Sequence, residues 1–202
     1  YTAAILFGQA LLIPAMAYAL SRFKFRGRDA LFFVVIMLML LPFQVTMVPN
    51  VITLRAMGLL DTVWSVILPM TVAPFYIFLL RQYMVGLPGD MIEAAQIDGA
   101  GTLRCFVHVV MPVCQPILGA AIALSFADCW NLVEQPLTYL TTHTELYPLS
   151  VAFNQLTQKS TGVEFAGAAL YTLPALFIYL FFQNDILEGV QDKGEKISVK
   201  NH

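Results

Sequence analysis

Apolar and polar positions alternate along this chain in long blocks rather than at single-residue spacing. Five apolar runs, 3–20, 30–49, 62–80, 113–133 and 166–183, each hold 18–21 residues and no Lys or Arg. At about 1.5 Å rise per residue, a helix of that length crosses roughly 30 Å of hydrocarbon. The segments 21–29, 50–61, 81–112 and 134–165 separate the runs, and a polar tail follows from 184. Backbone facing lipid must satisfy its own hydrogen bonds, so apolar blocks of this length predict helices. The expected fold is all-α: a polytopic membrane helical bundle of five spans in a single domain, 1–202, with no separate soluble domain. The segment 50–61 is apolar but too short to span, and is expected to lie along a membrane face.

Composition supports a bilayer rather than a large soluble core. Hydrophobic residues make up 58% of the chain and charged residues 12%, and mean hydropathy is +0.72. A soluble domain has about 25% charged residues. Cys105, Cys114 and Cys129 have no metal-ligand spacing and read as small hydrophobes. No metal and no cofactor is expected. The first run lacks the basic n-region of a signal peptide, and Tyr1 already adjoins it.

Net charge, −2, carries less information than its placement. Five spans sort the polar blocks onto two sides. One side collects Arg22, Lys24, Arg26, Arg28, Arg81, Arg104, Lys193, Lys196 and Lys200; the other has Arg55 and Lys159. Basic residues accumulate on the cytoplasmic side, so 21–29, 81–112 and the C-terminus are expected there. The run SRFKFRGRD alternates base with aromatic, yet it directly follows a span. It is expected to set topology and meet lipid headgroups, and no nucleic-acid partner is expected.

The block 81–112 contains LPGDMIEAAQIDGAGTLRCFVHVVMP. Pro88 suits a helix opening and Asp90 favours the positive end of its dipole. Residues 91–98 make about two turns, and Gly99 permits a left-handed terminating residue. Ala94 and Ala95 are small enough for another backbone to approach closely, and Glu93 offers an anion. Met91, Ile92 and Ile97 supply apolar contact, either to a partner or back onto the chain. No G-x-x-x-x-G-K-[ST] loop occurs, so no ATP site of that kind is present.

Glu93-Ala94-Ala95, then Asp98-Gly99-Ala100, then after nine residues Val109-Val110-Met111-Pro112 resembles the cytoplasmic EAA loop of importer permeases of the ATP-binding-cassette class. Val109 stands for the usual Ile and Met111 for the usual Leu. IDGA, ALSRFKFRGR and TVAPFYIFLLRQYMVGLP resemble the carbohydrate-uptake branch, the maltose- and glycerol-phosphate-type permeases. The resemblance implies a six-helix permease of a bacterial or archaeal cell membrane, and hence a first helix absent from this sequence. It implies that Glu93, Ala94, Ala95, Asp98, Gly99, Ala100 and Pro112 couple the chain to an ATPase. It also implies the partners: a second permease subunit, an ATP-binding-cassette ATPase dimer that holds the ATP, an extracytoplasmic solute-binding protein and a carbohydrate substrate. The loop 135–164, with Tyr147, Asn154 and Gln155, resembles the segment facing the binding protein. The tail, DKGEKISVKNH, departs from the family's Gly-rich ending.

Several polar groups lie at membrane depth, where they are costly against lipid. Gln44 and Thr46 occur in LLPFQVTMVP; Asp128, Trp130, Asn131 and Glu134 occur in SFADCWNLVEQPL. Asp128, Asn131 and Gln135 at i, i+3 and i+7 are expected to share a helix face. Gln44, Asp128, Trp130 and Asn131 form the candidate translocation path, with the hydrogen-bonding and stacking groups a sugar needs. Interhelical polar packing near the outer interface, where Trp is also favoured, explains the same residues equally. Pro14, Pro42, Pro69, Pro74, Pro116 and Pro174 interrupt the spans.

The chain is therefore expected to be no enzyme itself. An ion-coupled secondary transporter is the alternative, with Asp128 as its lone acidic candidate. An intramembrane enzyme would need H-E-x-x-H or a serine–histidine arrangement; neither occurs, and His108 and His143 are expected in loops.

Overall fold

A computed structural model describes the backbone of residues 1–156 and 161–198 and the side chains of 1–153 and 165–183. Eleven helices carry the described chain, with no strand among the described residues: α1 (Thr2–Arg22), α2 (Arg28–Leu40), α3 (Phe43–Ala56), α4 (Val63–Thr71), α5 (Pro74–Val85), α6 (Asp90–Ile97), α7 (Thr102–Val113), α8 (Gln115–Trp130), α9 (Glu134–Tyr139), α10 (Leu149–Leu156) and α11 (Thr161–Ser198). The expected all-α polytopic architecture is observed. Three segments are long and apolar enough to cross a membrane, Thr2–Arg22, Val63–Val85 and Phe165–Gln183. Counting each of two bent helix pairs, α2 with α3 and α7 with α8, as one span brings the number to as many as five.

The bent pairs differ from the straight runs expected at 30–49 and 113–133. α2 and α3 meet at 112°. Pro42 has no N–H to give to α2 and adopts φ −66°, ψ 153°, which ends one helix and caps the next. α3 then takes in 50–56, half of the segment expected to lie along the membrane face. α7 starts at Thr102, so His108 is helical rather than in a loop, and α8 leaves at 75° after Val113. Within α7, Pro112 cannot donate to the His108 carbonyl. The turn Phe106–Val110 widens to π geometry, with Met111 N–H reaching back to the Phe106 carbonyl.

Backbone contacts divide the chain into two compact units. The first comprises Tyr1–Gln9, Leu40–Ala73 and Leu124–Phe181; the second comprises Ala10–Met39, Pro74–Ala123 and Phe182–His202. Among residues with described side chains, Arg22, Lys24, Arg26, Arg28, Arg81 and Arg104 all fall in the second unit, and Arg55 falls in the first. The division of backbone thus repeats the charge asymmetry read from sequence.

The first unit packs Leu54, Val66, Leu132, Tyr139 and Leu140 into one cluster, and Ile5, Ile67 and Cys129 into another. Lipid tails are as apolar as leucine, so close approach and hydrogen bonds matter more here than burial itself. Gly8 of α1 shows the closeness: a Cβ there would stand 2.5 Å from Thr71 Cγ2 of α4. Asp61, at φ 60°, fastens two loops of this unit. Its carboxylate accepts the Thr142 N–H at 2.8 Å and the Thr141 hydroxyl at 3.3 Å, while its own N–H donates to the Tyr139 carbonyl. The Thr142 N–H, foremost, holds the Asp61 carboxyl below its ordinary range.

In the second unit Met84, Cys105, Val110 and Cys114 are buried. Tyr18 of α1 packs on Phe106 of α7 with ring centres 4.9 Å apart, and Phe32 of α2 stacks on Phe78 of α5 at 5.9 Å.

Candidate functional site

α6 is built by local rules at both ends. Gly89 precedes it, and the Ile92 and Glu93 N–H groups donate to the Gly89 carbonyl. Asp90 and Glu93 put two carboxylates in the first turn, at the positive end of the dipole. At the other end Gly99 has φ +82°. Its N–H donates to the Gln96 carbonyl at 3.0 Å, and the Ala100 N–H donates to the Ala95 carbonyl at 2.9 Å. That pair of bonds is a Schellman termination, which needs a left-handed residue where Gly99 stands.

No residue of α6 is buried. Met91 and Ile92 turn back to a narrow apolar crevice completed by Leu87, Pro88, Val109 and Val113. Ala95 is half-buried on that same side, three residues from Ile92. Glu93, Ala94, Ile97 and Asp98 face away, and Ile97 is 86% exposed. The half-buried Ala100 accepts from the Cys105 thiol at 3.5 Å, tying the end of α6 to α7. Pro112 is exposed on α7, directly after the π turn described above. The loop residues predicted from sequence are therefore brought together as an outward helix, its terminating turn and the helix behind it.

The candidates in the first unit separate into two groups. Gln44 Nε2 donates to Glu134 Oε1 at 3.3 Å. Trp130 and Asn131 instead gather around Tyr171 of α11. The Trp130 indole N–H donates to the Tyr171 carbonyl at 3.1 Å, and the Tyr171 hydroxyl lies 2.8 Å from the Trp130 carbonyl and 3.1 Å from Asn131 Oδ1. Phe126, Trp130, Tyr171 and Phe153 form a run of rings with successive centres 5.5 Å apart. Asp128 is exposed on the last turn of α8. The shared face expected for Asp128, Asn131 and Gln135 does not form. α8 stops at Trp130, where the Asn131 amide caps it through the Ala127 carbonyl at 2.9 Å, and Gln135 belongs to α9. Pro136 in the first turn of α9 forces that break.

Sequence reasoning did not find Tyr171, Phe126 or Phe153, nor the buried pair Gln9 and Ser125. A lone amide within ILFGQALLIP was a usable signal, because a buried amide at membrane depth needs a partner. Nothing comparable marks Tyr171. Asn154, Gln155, Lys159 and the tail from 184 lie outside the described side chains.

The described chain is thus an all-α polytopic membrane protein with a short, exposed helix between two of its spans. Residues 10–187 match the family described as binding-protein-dependent transport system inner membrane component, and the chain belongs to that family. It is 31% identical over 184 residues to the arabinooligosaccharides transport system permease protein AraQ of Bacillus subtilis, covering 90% of this chain and 65% of AraQ. The sequence thus spans slightly less than two thirds of that relative. It is 33% identical to the diacetylchitobiose uptake system permease protein NgcG of Streptomyces coelicolor, covering 89% of this chain and 62% of NgcG. A crystal structure of a bacterial ABC transporter involved in the import of the acidic polysaccharide alginate contains a similar chain, with TM-score 0.69 and 26% identity. That match covers 96% of this chain and 71% of the other. Membership of this family sets aside the ion-coupled secondary transporter.

Proposed function

We propose that this chain is a permease subunit of an ATP-driven importer, forming half of a translocation pore for a carbohydrate or related polar solute. The observation that carries this reading is α6, whose Glu93, Ala94 and Ile97 side is exposed while Met91 and Ile92 are seated on their own chain. The small Ala94 lets a partner's backbone approach, Glu93 supplies a charge for a hydrogen bond or ion pair, and Ile97 supplies apolar contact. The partner is an ATP-binding-cassette ATPase dimer, which holds the nucleotide. Its closure on ATP draws α6 of this chain toward its counterpart on a second permease subunit, and release follows hydrolysis.

In this reading the segments 21–29 and 81–112 and the C-terminus are cytoplasmic, which suits Arg22, Lys24, Arg26, Arg28, Arg81 and Arg104. An extracytoplasmic binding protein delivers solute to the other side. Gln44, Asp128, Trp130 and Asn131 contact solute in the path, the rings around Trp130 offering a stacking surface and the amides hydrogen bonds. Support for a carbohydrate comes from this chemistry and from the oligosaccharides named for two relatives.

The test is capture and uptake. The chain is co-expressed with its companion subunits, and Glu93→Lys is compared with wild type for ATPase subunit retained on purification and for solute uptake in vesicles. The expected result is a loss of at least tenfold in both. Normal assembly and uptake by Glu93→Lys would remove the role given to α6.

A further inference from the structure

Between Leu87 and α6 stand only Pro88 and Gly89, and Leu87 is held from another helix. Arg22, the last residue of α1, donates from Nη2 to the Met84 carbonyl at 2.7 Å and to the Leu87 carbonyl at 3.0 Å. The Met84 carbonyl lies in the last turn of α5, where it also accepts the Leu87 N–H at 3.4 Å, and the Leu87 carbonyl lies two residues past the end of the helix. The guanidinium here meets the negative end of the α5 dipole.

α5 is fastened at two further points. The Arg81 guanidinium lies 4.0 Å above the Phe32 ring of α2. The Tyr83 hydroxyl donates to the Val113 carbonyl at 3.3 Å, where α7 gives way to α8. The last two turns of α5 therefore touch α1, α2 and the α7–α8 bend.

Resting on the coupling role given to α6, we infer that Arg22 is a positioning residue that passes displacement of α6 into α1. Pro88 fixes one of the few dihedrals in the connector, so movement of α6 reaches the Leu87 carbonyl with little slack. One nitrogen serves both carbonyls, and hydrogen bonds are lost beyond about 3.5 Å. A shift of roughly 0.5–0.8 Å therefore either drags Arg22 along or breaks the tie. Dragging is the favoured outcome, because losing the Leu87 carbonyl would leave the half-buried guanidinium, whose Nε already lacks a partner, with the Met84 carbonyl alone.

The test uses the complete transporter in proteoliposomes with its loaded binding protein. Solute taken up per ATP hydrolysed is measured for wild type, R22M and R22K, together with ATPase subunit retained. A purely structural role would lower the amount of active complex without altering that ratio. The ratio is expected to fall at least fivefold in R22M. It is expected to fall about twofold in R22K, whose ammonium reaches one carbonyl, with ATPase subunit retained in both. A wild-type ratio in R22M overturns the inference. Should R22M not assemble, R22K decides: a lowered ratio supports the inference and a wild-type ratio overturns it. Failure of the coupling role itself would look different, with no ATPase subunit held by the wild-type chain.

Discussion

Gln9 and Met70 are joined by a 2.7 Å hydrogen bond from the Gln9 amide nitrogen to the Met70 carbonyl. Four residues beyond Met70 stands Pro74, which has no N–H to serve that carbonyl. α1 thus provides the donor that the backbone of α4 and α5 lacks. The Ser125 hydroxyl of α8 completes the link by donating to Gln9 Oε1. Both side chains are buried, Gln9 at 5% and Ser125 at 2% exposure.

Gln9→Leu should therefore leave the half-buried Met70 carbonyl without its donor and the buried Ser125 hydroxyl with only the Cys129 sulfur, 3.8 Å away. A loss of about 1–2 kcal/mol is expected, read as a lower midpoint of thermal unfolding in detergent. Pro74→Ala restores an N–H four residues after Met70. The cost of Gln9→Leu should be smaller in that background. Additive effects in the double variant would refute the pairing of Gln9 with the proline break.

Ala94→Trp places bulk on the outward side of α6 without disturbing packing within the chain. The unfolding midpoint of the isolated chain should move by less than the equivalent of about 0.5 kcal/mol. Retention of the ATPase subunit should fall at least tenfold. Unchanged retention would show that no partner approaches Ala94.

Gly99→Ala tests the termination of α6 separately from its face. With φ +82° and no atom within 4 Å of the place a methyl group would take, the change meets a backbone penalty and no clash. A left-handed alanine costs about 1–2 kcal/mol. Hydrogen exchange should quicken at Gln96 through Ala100 and stay unchanged in α7.

Tyr171→Phe keeps the ring stack with Trp130 and Phe153 but removes a hydroxyl bonded at the end of α8. A loss of about 0.5–1.5 kcal/mol is expected. Tyr171→Leu should cost more, because it removes the stack as well. Equal melting of the two variants would deny the rings any part in holding α8 to α11.

Asp61 gives the chain a pH dependence of known sign. Its carboxyl titrates below the ordinary range in the folded state, so the stability it contributes is complete above that range. This contribution is lost as pH falls through the lowered value. Wild type should melt above Asp61→Asn at neutral pH, and the gap should narrow under acid conditions. A gap independent of pH would mean that ionisation of Asp61 adds nothing to these bonds.

The features legible in sequence were those governed by rules within a few residues. Pro88, Asp90 and Gly99 suffice to place α6 and its end, and hydropathy suffices to place five apolar runs. The bends were not legible. Hydropathy treats Leu41-Pro42 as the middle of one run, although Pro42 starts a new helix at 112° to the last. Asn131 shows a different limit. Its spacing from Gln135 argued for a shared face, and Pro136 ended the helix before that spacing could apply. Tyr171 was missed because it lies 40 residues from Asn131, and no local pattern encodes a partner that distant.

The two proline breaks served by side chains also set an order for assembly during synthesis. Gln9 precedes Met70 by 61 residues, so the donor is translated well before its acceptor. At the second break the order is reversed. The Leu132 carbonyl, left open by Pro136, is served by the Ser150 hydroxyl 18 residues later. Insertion of the α8–α9 corner is thus completed only after α10 has been translated. A nascent chain stopped at residue 140 should hold its first corner and lack its second.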